Sequence, residues 1–291
     1  MIKRDKSWDF VKFVLMFFVV FGHICPADVE EWTPVTRIVG LFVMPLFFFV
    51  SGYFQSKIVD APKLVQKFRK TMFRLLIPLV TWGGLYVFLS VLKLYQIPDL
   101  CSSSSVQEYV LDVIHFLKYT PFYIAGFYWF LTALLLCVVV GSCLSLLISV
   151  WRSIGLVVAI LSPLFFCSLP HTLIELYHFS FVWLFYIGGM FFREYEHIIL
   201  TFLKQKYCFS FFFIMLIVVV CIGKITIHAT FYYASNLFID TSMTFIIRRY
   251  GIHLIAVMTL LYWIKYFYNR FSNVKLITKF ANYGQLTLNF I

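Results

Sequence analysis

The sequence predicts an all-α protein, a polytopic bundle of transmembrane helices with about nine spans, the last of them incomplete. Three observations predict it. Of 291 residues, 62% are hydrophobic and only 13% are charged, whereas a water-soluble domain averages about 25% charged. Apolar runs of bilayer length recur from end to end, and a helix satisfies its own backbone in hydrocarbon. With the N-terminus placed inside, 17 of the 24 Lys/Arg fall on inner segments, while only Arg37, Lys118, Arg248 and Arg249 fall outside. That asymmetry is the positive-inside bias. The net charge of +11 therefore reports topology, and no nucleic-acid partner is expected.

The first span, 10–25, follows Lys3, Arg4 and Lys6 as the apolar part of a signal peptide would. It leaves through His23-Ile24-Cys25-Pro26 without a small-residue cleavage pattern, so a retained span is expected. Lys12 precedes His23 by eleven residues, close to three helical turns, which puts both on one stripe about 16 Å apart along the axis. Asp9 joins that stripe one turn earlier. Ionisable groups at membrane depth are costly and normally face the bundle interior, where they mark a working site. The residues leave a second reading open, in which Asp9 and Lys12 snorkel to the inner surface and His23 sits among outer headgroups. A histidine titrates near neutrality and suits general-base work on a hydroxyl. Gly22 beside it would let another backbone approach.

The second span, 36–55, carries Pro45 and then Ser51 and Gly52 near its end, small residues that suit close helix packing. The inner segment 56–75 sets Lys63, Lys67, Lys70 and Arg74 on one helical face and Leu64, Phe68 and Leu75 on another. That pattern describes a basic amphipathic helix on the membrane surface. Its partner is either anionic lipid or a phosphate-bearing ligand held by Arg69, Arg74 or the lysines.

The third span, 76–96, leads into an outer segment, 97–125, with Pro98, the serine run 102–105 and Pro121. The fourth, 126–150, opens with Tyr128-Trp129-Phe130; Trp129 is either an interfacial anchor or a sugar-stacking face. Spans follow at 154–169, 178–192, 207–227 and 246–266. A ninth begins near Phe280, but the 12 residues from there to Ile291 make only about 18 Å of helix, short of a core of about 30 Å. Seven cysteines are scattered without CxxC or other ligand spacing, so no metal is expected.

These residues resemble a known family. WDFVKFVLMFFVVFGH at 8–23 is similar to the opening span of the integral-membrane acyltransferases of family 3, in which a basic residue precedes an essential histidine by eleven positions. MPLFFFVSGYF at 44–54, RLLIPLVTW at 74–82, YWFLTAL at 128–134, FYIGGM at 185–190 and YGQLTLNFI at 283–291 resemble its later motifs in order. The resemblance implies a bundle of about ten spans in a bacterial cytoplasmic membrane. It implies transfer of an acyl group, most often acetyl, from cytoplasmic acyl-CoA to a hydroxyl of an exported glycan or lipid-linked sugar. His23 would be the catalytic histidine, with Lys12 standing where many members carry arginine and Asp9 beside it. Arg69 and Arg74 would meet the CoA phosphates; Ser51, Gly52 and Trp129 would shape the acceptor site. Val43 stands where many members carry another histidine. Residues 1–291 would form one acyltransferase domain, incomplete at its C-terminus. The competing functions are a multispan transporter or flippase without acyl chemistry, and an inactive truncated member.

Overall fold

The computed structural model describes residues 5–24, 33–91, 129–168, 174–203, 206–225 and 243–287. Among these, all regular structure is helical: α1 (Lys6–Ile24), α2 (Thr33–Tyr53), α3 (Ala61–Val91), α4 (Trp129–Val150), α5 (Arg152–Ser168), α6 (Ile174–Leu203), α7 (Lys206–Ile225), α8 (Met243–Phe271) and α9 (Lys275–Thr287). Each expected span falls on one of them. Two described stretches, Phe130–Val150 and Tyr250–Phe271, are long and apolar enough to cross a bilayer. Ile38–Tyr53, Arg152–Phe166 and Tyr207–Val218 are shorter apolar stretches. The outer segment 97–125 lies outside the described residues, apart from the helices that flank it.

The chain divides into two compact units, Met1–Phe54 with Val182–Ile291, and Gln55–Phe181. In the first, α1 packs against α2, α8 and α9. Phe10 meets the rings of Phe267 and Tyr268, while Phe18 and Phe21 pack beside Ile252 and Leu260, so α1 and α8 run antiparallel. Val43 is buried with Leu41, Phe42 and Ala256 in the same apolar cluster. Trp8, Val11, Leu15, Leu46, Phe48, Trp183 and Tyr186 are all essentially inaccessible.

Two glycines set the closest approach in this unit. A Cβ on Gly52 would fall 1.9 Å from the carbonyl oxygen of Tyr186, and a Cβ on Gly189 1.9 Å from that of Phe49. The paired contacts press α2 and α6 together backbone to backbone. In hydrocarbon, burying leucine against leucine gains little over lipid, and small residues that bring backbones together supply much of the association. Gly284 plays the same part between α9 and α1, where a Cβ would meet the Asp9 carbonyl. At Gly22, among the described residues, nothing lies within 4 Å of a Cβ.

In the second unit, α3 packs on α4 and α4 on α5. The amphipathic segment and the third span, expected as separate pieces, form one helix of 31 residues. The buried spacing is why: half-buried Leu64 and Phe68 lead in register to buried Thr71 and Leu75, so one face runs through the expected boundary. Asp60 starts the helix, accepting the Lys63 backbone N–H at 2.8 Å and pairing with its ammonium at 3.0 Å. Those bonds hold the Asp60 carboxyl below its ordinary value. Gln55 donates to Ser142 Oγ at 2.8 Å and the Ile58 N–H to Ser145 Oγ at 3.0 Å, fastening the approach to α3 along α4.

Candidate functional site

Asp5 caps α1 by accepting the Ser7 backbone N–H at 2.8 Å. One turn on, Asp9 and Lys12 pair at 3.6 Å, and only 4% and 7% of their surfaces remain exposed. Both groups thus lie inside the packed unit, not at its surface. The Lys12 ammonium also sits 3.8 Å over the ring of Phe54, just past the end of α2. An aromatic face is a favourable seat for a desolvated cation.

A second group of side chains closes around Trp8. Its indole stacks on Tyr53 with centroids 4.0 Å apart, and the Phe54 and Phe192 rings meet it edge-on. The indole N–H donates to Glu196 Oε1 at 3.2 Å, and Lys265 Nζ donates to the same oxygen at 3.3 Å. The Tyr53 hydroxyl donates to Glu196 Oε2. Lys265 lies 3.7 Å from Asp5 and 3.8 Å over the Trp8 ring. A single carboxylate on α6 is therefore bonded to α1, α2 and α8. Sequence reasoning passed over Glu196 and Lys265, counting Lys265 among the inner charges that set topology; the only signal was that each adjoins a long apolar run.

The remaining expected site residues divide by position. His23 is the penultimate residue of α1 and Trp129 the first of α4; their side chains lie outside what the structure describes. Gly52 makes the close helix approach described above, whereas the Ser51 hydroxyl donates to the Phe47 carbonyl of its own helix at 2.9 Å. Arg69 and Arg74 belong to the second unit and are exposed on α3. At 100° per residue they lie about 140° apart around the helix, so Arg74 shares its face with Lys67 and Lys70 while Arg69 does not. Burial, and then the charges of Lys70 and Arg74, press the Lys67 ammonium below the usual lysine range. A cluster of cations that repel one another in this way fits a polyanionic, phosphate-bearing ligand.

Comparison with known proteins covers most of the chain. The profile of the acyltransferase domain Acyl_transf_3 matches residues 5–284. A segment of 136 residues is 26% identical to nodulation protein NolL of Mesorhizobium japonicum, covering 45% of this chain and 33% of that protein. Another of 138 residues is 29% identical to NolL of Sinorhizobium fredii, covering 45% of this chain and 34% of that protein. The matched part thus spans about a third of the length of these relatives. No solved structure matches the chain. From Asp5 through Gly284, taking in both units and the buried Asp9–Lys12 pair, the chain belongs to the acyltransferase family 3 domain.

Proposed function

We propose that the protein is an integral-membrane O-acyltransferase of a bacterial cytoplasmic membrane, a single domain across residues 1–291 with a cytoplasmic N-terminus. It moves an acyl group, in the first instance acetyl, from cytoplasmic acyl-CoA to a hydroxyl of an exported glycan or lipid-linked sugar. One observation carries the reading: a buried Asp9–Lys12 pair occupies the helix whose penultimate residue is His23, in a chain whose family match runs from residue 5 to 284. Such a pair is expensive to bury and is kept where chemistry needs it.

The thioester supplies the acyl group in activated form. His23 takes the acceptor hydroxyl proton as the new ester bond forms and returns it to the departing CoA sulfur when the carbon–sulfur bond breaks. Lys12, held by Asp9 and seated on Phe54, supplies positive charge on the same stripe of α1. Lys67, Lys70 and Arg74, which share one face of α3, take the CoA phosphates, with Arg69 about 140° round the helix from Arg74.

The test is replacement of the gene in its host by His23→Ala and Lys12 variants, reading ester groups on the surface glycan by NMR. His23→Ala should lower acylation by about a hundred- to ten-thousand-fold, the usual worth of a general base, with protein abundance unchanged. Lys12→Ala should also impair it, and Lys12→Arg should retain it. Near wild-type acylation in the His23→Ala strain would overturn the proposal.

A further inference from the structure

The Glu196 carboxylate lies at the opposite end of α1 from His23, fifteen residues from Trp8 to the histidine, or about 22 Å at helical rise. No group of this cluster is within reach of chemistry at His23. Its geometry is nonetheless specific. Glu196 Oε1 receives Trp8 and Lys265, Oε2 receives Tyr53, and Lys265 is in turn shared with Asp5. The tie therefore joins α6 to the first turn of α1, the last turn of α2 and the last turns of α8.

Asp5, Trp8 and Lys12 recur at three and four residues, and His23 follows Lys12 by eleven, so all four share one side of α1. Further along that helix many contacts are apolar, such as Phe10 on Tyr268 and Phe18 on Phe42. Contacts of that kind do not choose a register sharply, since a small slide exchanges one apolar neighbour for another. Hydrogen bonds to a carboxylate, here a half-buried one, are directional and lose strength steeply when misaligned. The axial and rotational setting of α1 is accordingly fixed in part where Trp8 meets Glu196, beside the close backbone approach of Gly284 to Asp9.

We infer that Glu196 is a positioning residue for acyl transfer: by tying Trp8, Tyr53 and Lys265 together it sets α1 in register and so aims Lys12 and His23. This rests on the acyl-transfer reading above. A misplacement of about 1 Å at a reacting group can cost on the order of a hundredfold in rate. The consequence of loosening the tie should therefore appear in kcat, not in donor affinity.

The experiment uses the full chain in lipid nanodiscs, with radiolabelled acetyl-CoA as donor and host membrane glycan as acceptor, and His23→Ala alongside. Glu196→Gln keeps the shape of the side chain and its acceptor oxygen but loses the ionic tie. We expect kcat to fall about tenfold or more, the scale of a lost charge-assisted bond, with the KM for acetyl-CoA unchanged. Should Glu196→Gln fail to accumulate, Tyr53→Phe and Trp8→Phe, which keep the stacked rings and each remove one donor, should each lower kcat several-fold at constant KM. Wild-type kcat in whichever of these variants accumulate, or a loss explained wholly by less folded protein, would overturn the inference. If His23→Ala itself transfers acetyl normally, the acyl-transfer reading fails first and this inference falls with it. A dead His23→Ala beside a fully active Glu196→Gln removes the positioning role alone.

Discussion

On α3 the half-buried Lys67 faces two like charges, Lys70 and Arg74, and its ammonium is held below the usual lysine range by burial and then by that repulsion. The unfolded chain keeps its Lys67 proton to higher pH. Between the lowered value and the ordinary one, the unfolded state binds more protons, and stability rises with pH. Below the lowered value both states are protonated and the cost is fully present. A phosphate ligand reverses the preference, because it favours the charged lysine. Affinity for desulfo-CoA should therefore weaken as pH rises through the lowered Lys67 value, earlier than an ordinary lysine would allow. Lys67→Arg should move that loss to higher pH. Calorimetric titrations that show the same alkaline profile for both proteins would count against Lys67 as a phosphate ligand.

Helix pairs in the first unit depend on glycine where backbone meets backbone. Gly188 and Gly189 are neighbours on α6, yet the structure treats them differently. A Cβ on Gly189 would meet the Phe49 carbonyl at 1.9 Å, whereas one on Gly188 would touch the Phe49 ring at 3.6 Å, an ordinary contact. Gly189→Ala should then destabilise by at least the 1–3 kcal/mol or so typical of overpacking, because backbone has to move. Gly52→Ala should do the same at the reciprocal contact with Tyr186, and Gly188→Ala should be nearly neutral. Thermal unfolding of the three variants in one detergent decides this. Equal melting temperatures for Gly188→Ala and Gly189→Ala would contradict the packing described here. The Asp9–Lys12 pair depends on the same kind of approach, since Gly284 of α9 lies against the Asp9 carbonyl.

At the scale of the whole molecule, the outward face of α5 is formed by Ile154, Val157, Ile160, Leu161, Leu164 and Phe165, all exposed. Such a face suits hydrocarbon, not water. Together with the charge asymmetry it predicts an orientation that reporter fusions can read. Fusions at Pro62, Trp151, Leu200 and Ser272 should report the cytoplasm, and fusions at Ile174 and Met243 the outside. Reversal at any two of these sites would sink the proposed topology.

The helical class and the position of each helix are properties of local sequence. Apolar run length, helical spacing and the distribution of lysine and arginine act over a few turns, and they marked α1 to α9 to within about five residues except where α3 continued through an expected break and α6 ran to Leu203, eleven residues past the expected end at 192. The alignment of Asp9, Lys12 and His23 was legible for the same reason, because one helix carries all three. What brings Asp9 and Lys12 under Phe54, and Trp8 onto Tyr53 and Glu196, is contact between segments up to 188 positions apart. Glu196 and Lys265 read in sequence as charges at the ends of spans, because counting charge by side ignores which direction a side chain faces. Gly22, Gly52 and Gly189 likewise look alike until a second backbone is placed beside them. Only the tertiary structure decided that Gly52 and Gly189 are pressed against a carbonyl while Gly22 meets nothing among the described residues, since a glycine's missing side chain matters only where something else occupies its space.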